Sequence, residues 1–274
     1  MGVFSKIVEN NSAEQNLVPV IQLKNICKTF GDGFKLFDNF NLVIDDIPNA
    51  AQRISIIGES GTGKSQLLKI ISKINKPDSG EVLVYGRSDY QSIPMVFQQY
   101  SSYPWMTVLE NVALPLKLQG ISKKQREKQA LEMLQLVGLE SQANKWAKMP
   151  ELSGGQLQRV SIARSLVGNN QILLMDEATS ALDVKSKRDI EDALLNICNN
   201  SKLDPTIINV THDISEAVYF SNRIYILRAN PCRIYKIMNV SFGEDDIRNQ
   251  DIRNTPEFAK YVSEAEQALN EIIE

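Results

Sequence analysis

"GESGTGKS", residues 58–65, fits the pattern G-x-x-x-x-G-K-[ST] without a gap. Ahead of it "RISIIG" is a short apolar, β-branched run that ends in glycine. Behind it "KSQLLKIISKI" places Leu67, Leu68, Ile71 and Ile74 on one helical face. Strand, glycine loop and helix in that order form the context in which such a loop cradles phosphate. The glycines let the backbone of Gly58, Glu59, Ser60, Gly61, Thr62 and Gly63 wrap close enough for N–H groups to meet phosphate oxygens, and the helix start adds a favourable dipole. Lys64 is then placed for the β- and γ-phosphates of a nucleotide and Ser65 for Mg2+. A chance glycine turn before a helix is the weaker reading, because both flanks match.

Working outward, "IQLKNI" alternates like a half-buried strand, and "SGEVLVYG" and "PMVFQ" read as strands. In "SKKQREKQALEMLQLVGL", Ser122 and Gln125 make a capping box, Leu131, Leu134 and Val137 share a face, and Gly138 closes the helix. A helix-rich stretch from about 101 to 167 thus interrupts the alternation. "QILLMDE" is apolar throughout, as expected of a parallel strand covered on both faces. A helix containing Ile190, Leu194 and Ile197 leads to "TIINVTH", and "RIYILR" follows. Alternating strands and helices with buried runs point to an α/β sheet. The tail "TPEFAKYVSEAEQALNEIIE" offers Thr255 as N-cap, Pro256 in the first turn, and Phe258, Tyr261, Val262, Ala265 and Leu269 as an apolar stripe. Residues before about Val18 are polar and expected to fray.

With 274 residues the chain can bury a full core, and its formal net charge of -3 argues against nonspecific affinity for nucleic acid. Cys27, Cys198 and Cys232 stand far apart with no CxxC spacing, and there is one histidine, so a reducing compartment and no structural metal are expected. No apolar run approaches the roughly 20 residues that span a bilayer. The expectation is a cytoplasmic protein that meets a membrane only through a partner.

Further motifs carry chemistry. Asp176 and Glu177 stand at the carboxyl end of the apolar strand "ILLMDE", where doubly wound sheets place ligands. Asp176 suits Mg2+ held through its water shell, and Glu177 suits a base that orients and deprotonates water. His212, in "NVTHD", and Gln98, closing "PMVFQ", end two other strands at the same sheet edge; each alone reads as an ordinary structural or loop residue. "LSGGQLQRVSIARSL", residues 152–166, holds two glycines after a serine and then an amphipathic helix, a second helix start suited to an anion. Simple N-capping by Ser153 is the plainer reading of that start, and both can hold.

"GESGTGKS", the Gln of "VFQQ", "LSGGQ", "LLMDEATSALD" and "VTHD" occur in the order and approximate spacing found in the ATP-binding subunits of ABC transporters, which this chain resembles from about 21 to about 227. The resemblance implies a P-loop NTPase core of ABC type. It has a mostly parallel sheet, an N-terminal antiparallel β part and an inserted helical subdomain. Residues 20–240 would form the ATP-binding domain, with the helical subdomain at about 99–165, and 241–274 a helical tail. It also implies a head-to-tail dimer, with a second copy or a related ATPase subunit, in which each ATP lies between the cradle of one and the LSGGQ helix start of the other. Ser153, Gly154, Gly155 and Gln156 would then serve the partner's nucleotide, and Asp183 in "SALD" would reach across the dimer. Phe30 would stack on adenine where tyrosine is more usual, Gln98 would contact Mg2+ or the attacking water, and His212 would hold the γ-phosphate. Gln66 stands among the phosphate contacts where a threonine is usual, and Leu157 stands where a basic residue is common.

The activity so implied is ATP hydrolysis with Mg2+, coupled to transport through permease subunits at the cytoplasmic face of the membrane, with an extracytoplasmic solute-binding protein in the full system. "YPWMTVLENVALPL" and "RANPCRI" are similar to the branch importing nitrate, sulfonates or taurine. Trp105 taken alone reads as subdomain core; beside Pro104 and Met106 it also offers a surface for a membrane partner. A DNA-repair or chromosome ATPase of the same superfamily would carry long coiled coils between Gln98 and LSGGQ, for which the interval is too short. A translation-type relative would carry two nucleotide domains and more basic charge. No nucleic-acid partner is expected.

Overall fold

The β-branched run before the glycine loop forms β3 (Gln52–Gly58), buried along its length until the loop begins. The computed structural model describes residues 18–273 except 32, 49, 169, 201–203, 244, 245 and 247. The expected fraying before Val18 lies outside the described residues. The chain divides into two compact units: one holds the chain up to Pro48, Arg53–Ile93 and Val210 onward, the other 49–52 and Pro94–Asn209.

In the first unit, β1 (Ile21–Thr29) is the middle of an antiparallel sheet, flanked by β2 (Lys35–Ile44) and β4 (Ser79–Val84). This is the expected N-terminal antiparallel part. β3 pairs in parallel with β8 (Arg223–Arg228), with Gly58 opposite Leu227, and β8 pairs antiparallel with β9 (Arg233–Asn239). The helix after the glycine loop, α1 (Lys64–Ile71), buries Leu67, Leu68 and Ile71. Ile74, expected on the same face, is 52 % exposed, because the helix stops at Ile71 and the chain turns away through Lys73 at φ 64. The tail forms α7 (Pro256–Ile273), started by Thr255, whose hydroxyl accepts from the N–H of Phe258. Phe258 and Ala265 are buried, joined by Ala268 and Ile272, and the helix packs on β8, β9 and the short α6 (Ile214–Phe220).

In the second unit, β5 (Met95–Phe97) runs parallel to β6 (Ile172–Asp176), and β7 (Thr206–Val210) flanks β6 on its other side. β7 is buried at every position and β6 at all but its last, the pattern of strands covered on both faces. The helix-rich stretch consists of α2 (Val108–Leu118), α3 (Lys123–Leu136) and α4 (Gly154–Leu166); α5 (Val184–Asn200) follows β6. Two sequence expectations for α3 change. Leu131 is 36 % exposed, while Leu134 and Val137 are buried as expected, joined by Ala130 and Met133. Ser122 bonds the side chain of Gln125 at 2.8 Å rather than its backbone, so no capping box closes there. Complete boxes form at Thr107/Glu110 and Ser153/Gln156. Gly138, at φ 67, ends the helix as expected, and the N–H of Leu139 returns to the Leu134 carbonyl.

Candidate nucleotide site

The cradle lies in the first unit. Gly63 is the N-cap of α1 in a left-handed conformation, φ 101, and supplies no side-chain cap. The first-turn N–H groups of a helix have no intrahelical partner, which makes a helix start a natural place for an anion. A Cβ at Gly63 would also press on the Leu36 side chain at 2.9 Å. Lys64 is 7 % exposed, and its ammonium donates to the carbonyls of Gly58 at 2.8 Å and Glu59 at 2.7 Å, which folds it back over the loop. The Thr62 hydroxyl closes the same turn on the Glu59 carbonyl at 2.6 Å. Glu59, Ser60 and Gly61 are exposed and Ser65 is half-buried. A phosphate would offer Lys64 charged acceptors in place of two neutral carbonyls, a stronger pairing.

Gln66, in the first turn of α1, receives the Asn75 amide on its Oε1 at 2.8 Å. Phe30 is 40 % exposed at the tip between β1 and β2, where its N–H donates to Phe34 and its carbonyl accepts from Gly33. Its ring is thus displayed on a hairpin whose backbone is tied. Behind the cradle sits Cys232, whose N–H donates to Leu36 and whose thiol is pushed up to about 12 by burial.

His212 follows β7 and is exposed, while its neighbours are fixed. The Thr211 N–H reaches the Ile56 carbonyl, two residues before Gly58, at 3.3 Å. The Thr211 hydroxyl donates to Glu216 at 2.9 Å and accepts from the Asp213 N–H at 3.0 Å, and Asp213 caps α6 through the Glu216 N–H.

The second unit places two of the predicted residues side by side. Phe97 pairs with Asp176 across β5 and β6, so Gln98 and Glu177 leave neighbouring strand ends together. Asp176 and Glu177 are half-buried and Gln98 is exposed. Glu177 has φ 49, an uncommon conformation for a non-glycine residue, held where the Ser180 N–H and hydroxyl both donate to its carbonyl.

Ser153 caps α4, accepting from the Gln156 N–H at 3.2 Å while Gln156 Oε1 accepts from the Ser153 N–H at 2.9 Å. The plainer reading of that serine is therefore satisfied. Gly155 is required by packing as well: a Cβ there would lie 2.8 Å from the Ser186 Cβ on α5. Asp183 accepts from the Ser186 hydroxyl at 2.7 Å and N–H at 3.0 Å, which holds its carboxyl below the ordinary value. Leu157, the departure from a basic residue, is 1 % exposed and belongs to the core.

Gln158 lies outside the residues that the sequence motifs mark. It is 1 % exposed, and its amide donates to the Phe97 carbonyl at 2.7 Å and the Ala178 carbonyl at 2.8 Å. One side chain on the LSGGQ helix thus fixes the residue before Gln98 and the residue after Glu177. The available signal was its spacing: it falls among buried helix positions, where a polar side chain needs partners.

Trp105, read alone as core, is 67 % exposed; Tyr103 lies against it, their ring centroids 5.5 Å apart. Trp146 and Met149 are also exposed, and the Met149 sulfur receives the Tyr100 hydroxyl. Among the described residues no helix is long and apolar enough to cross a membrane.

Residues 46–180 match the ABC transporter family. The nitrate import ATP-binding protein NrtD of Synechocystis is 38 % identical over 84 % of this chain and 86 % of its own. The spermidine/putrescine import ATP-binding protein PotA of Pasteurella multocida is 38 % identical over 77 % of this chain, which spans 56 % of that longer relative. The ATP-binding cassette MJ0796, in a dimeric post-hydrolysis state bound to ADP and Pi, superposes with a TM-score of 0.65 at 36 % identity, covering 81 % of this chain and 99 % of the other. On these likenesses the chain belongs to the ABC transporter ATP-binding family, whose members are ATPases coupled to transport.

Proposed function

We propose that two copies of this subunit pair head to tail and hydrolyse ATP, each cradle serving with the LSGGQ helix start of the other copy, and that the cycle drives import of a small anion or sulfonate through permease subunits. The observation that carries the ATP reading is the glycine-capped start of α1 with Lys64 folded over it, a loop whose donors are arranged for phosphate. In this reading Lys64 draws the γ-phosphate, Phe30 stacks on the base, and Glu177 orients water and takes its proton. His212 holds the γ-phosphate. Ser65, Asp176 and Gln98 are oxygen donors, the chemistry Mg2+ prefers, and would hold that ion, which neutralises charge on the phosphates. Ser153 caps its helix while the N–H groups of Gly154 and Gly155 serve the partner's phosphate.

The exposed Trp105, Trp146, Met149 and Tyr103 support a membrane-subunit contact on the second unit, and peripheral attachment at the cytoplasmic face follows from it. The anion reading draws on the similarity to a nitrate import protein; the similarity to a spermidine/putrescine import protein supports a polyamine reading instead. Proteins copurified from membranes test the class: a permease is expected, and a nucleic acid in its place would overturn it. ATPase activity of the reconstituted complex, stimulated by a solute-binding protein loaded with nitrate and not with spermidine, tests the cargo. Mixed dimers test the pairing. A Ser153 variant in one copy is expected to impair hydrolysis at the opposing cradle, and a defect confined to its own cradle would refute the head-to-tail arrangement.

A further inference from the structure

The nucleotide reading leaves the chain beyond residue 240 without a role, yet that chain grips the helix next to His212. α6 has seven residues and begins two residues after His212. Isolated helices shorter than about 12–15 residues are marginal in water, so its position depends on outside contacts. Two arginines of the tail supply them. Arg248 is 7 % exposed and donates to the carbonyls of Val218 at 3.0 Å and Tyr219 at 2.7 Å, a cation at the carboxyl end of α6. It also donates to Val240 at 3.1 Å and is paired with Asp246, which Arg53 engages from β3. Arg253 takes the other end: its guanidinium donates to the Ser215 hydroxyl at 2.6 Å and stacks 4.3 Å from the centre of the Tyr219 ring. From there Asp213, Thr211 and Glu216 carry the fixed geometry to the residues on both sides of His212.

We propose that Arg248 and Arg253 of the tail are positioning residues for His212, Arg253 setting the first turn of α6 and Arg248 its last. The proposal rests on reading His212 as the γ-phosphate contact. A tail that merely added stability would change unfolding and leave the split between nucleotide binding and turnover alone; a positioning role predicts a fall in turnover at unchanged nucleotide affinity.

The test uses the full chain, with ATP turnover measured across ATP concentration, nucleotide affinity by a fluorescent ATP analogue, and thermal unfolding, in Arg253→Ala, Arg253→Lys, Ser215→Ala, His212→Ala and the pair His212→Ala/Arg253→Ala. Misplacing a reacting group by an ångström costs up to about a hundredfold. Arg253→Ala is therefore expected to lower kcat by about ten- to a hundredfold, with KM and nucleotide affinity within about twofold. Lysine should restore part of the loss, and the pair should be no slower than His212→Ala alone. Ser215→Ala, which removes the same contact from the helix side, should lower kcat in the same direction and serves if Arg253→Ala does not fold. An unchanged kcat in both, affinity falling in step with kcat, or losses that multiply in the pair would overturn the proposal. A His212→Ala protein that turns over at the wild-type rate would instead overturn the reading of His212 on which it rests.

Discussion

Replacing Gly155 with alanine separates two reasons for the second glycine of LSGGQ. A Cβ there would lie 2.8 Å from the Ser186 Cβ, 2.9 Å from its Oγ and 3.5 Å from its Cα. Carbon atoms pack at about 3.5–4.0 Å, so the overlap is about 0.7–1.2 Å. The obstructing atom is fixed to the backbone of α5 and cannot swing aside as a long side chain would. Overpacking of this kind costs about 1–3 kcal/mol, and the higher helix propensity of alanine returns at most about 1 kcal/mol. A net destabilisation of about 1–2 kcal/mol is expected from urea unfolding. Ser186→Gly removes the opposing Cβ. It is destabilising alone, through helix propensity and the lost hydroxyl bond to Asp183, but the two changes together should cost less than their sum by about 1 kcal/mol or more. Strict additivity would refute the steric account. If stability returns in the pair and turnover does not, the glycine also serves close approach of a ligand.

Glu177→Gln should lower turnover by about a hundredfold or more while favouring an ATP-bound dimer, read by single-turnover kinetics and gel filtration; near wild-type turnover would remove its role as base. Lys64→Ala should weaken ATP binding in a fluorescence titration, and undiminished binding would contradict the cradle. The Cys232 thiol, pushed up to about 12 by burial, stays protonated at pH 8, so a thiol reagent should label half-buried Cys27 in the native protein and reach Cys232 only in denaturant; rapid native labelling of Cys232 would refute the burial. Asp183 titrates below its ordinary 3.8 because Ser186 donates to its carboxylate. Its contribution to stability is present above that value and lost as pH falls through the lowered folded value. The difference between wild type and Asp183→Ala should thus be full at pH 7 and shrink in acid, and a gap that persists there would refute the assignment.

The strand-loop-helix signal around residues 58–65 was legible because each part is local: β-branched run, glycines and apolar period lie within one short segment. The same holds for Asp176 and Glu177 at the end of an apolar strand, and for the tail helix started by Thr255. What failed was mostly long-range. Ile74 and Leu131 satisfy a helical period, but whether a periodic position is buried depends on where the helix stops and what packs on it. One miss is local: Ser122 and Gln125 have the spacing of a capping box, yet the serine hydroxyl bonds the Gln125 side chain rather than its N–H. Gln158 was missed because its two acceptors, at Phe97 and Ala178, are 61 and 20 residues away. For Trp105 the sequence left core and surface both open, because a large aromatic is expected inside, and only the folded chain decides for the surface.

The starts of α1 and α4 differ in a way that bears on how one nucleotide could be shared between copies. α1 begins at a left-handed glycine with no side-chain cap and a buried lysine beside it, so its first-turn donors are committed to no side chain of the cap. α4 begins at a serine that closes a full capping box, so the N–H of Gln156 is already taken and the start is held rigid without any ligand. An anion needs several donors and a positive charge to be bound tightly, and fewer when it is already held from its other side. In the proposed pairing the first start would found the phosphate site, and the second, with no basic residue in its first turn, would complete it. A Ser153→Ala variant should therefore leave the affinity of the full chain for ATP nearly intact at concentrations where it is monomeric, and lower affinity only as dimer forms. A loss of affinity in the monomer equal to that in the dimer would show that the second start serves its own chain's nucleotide.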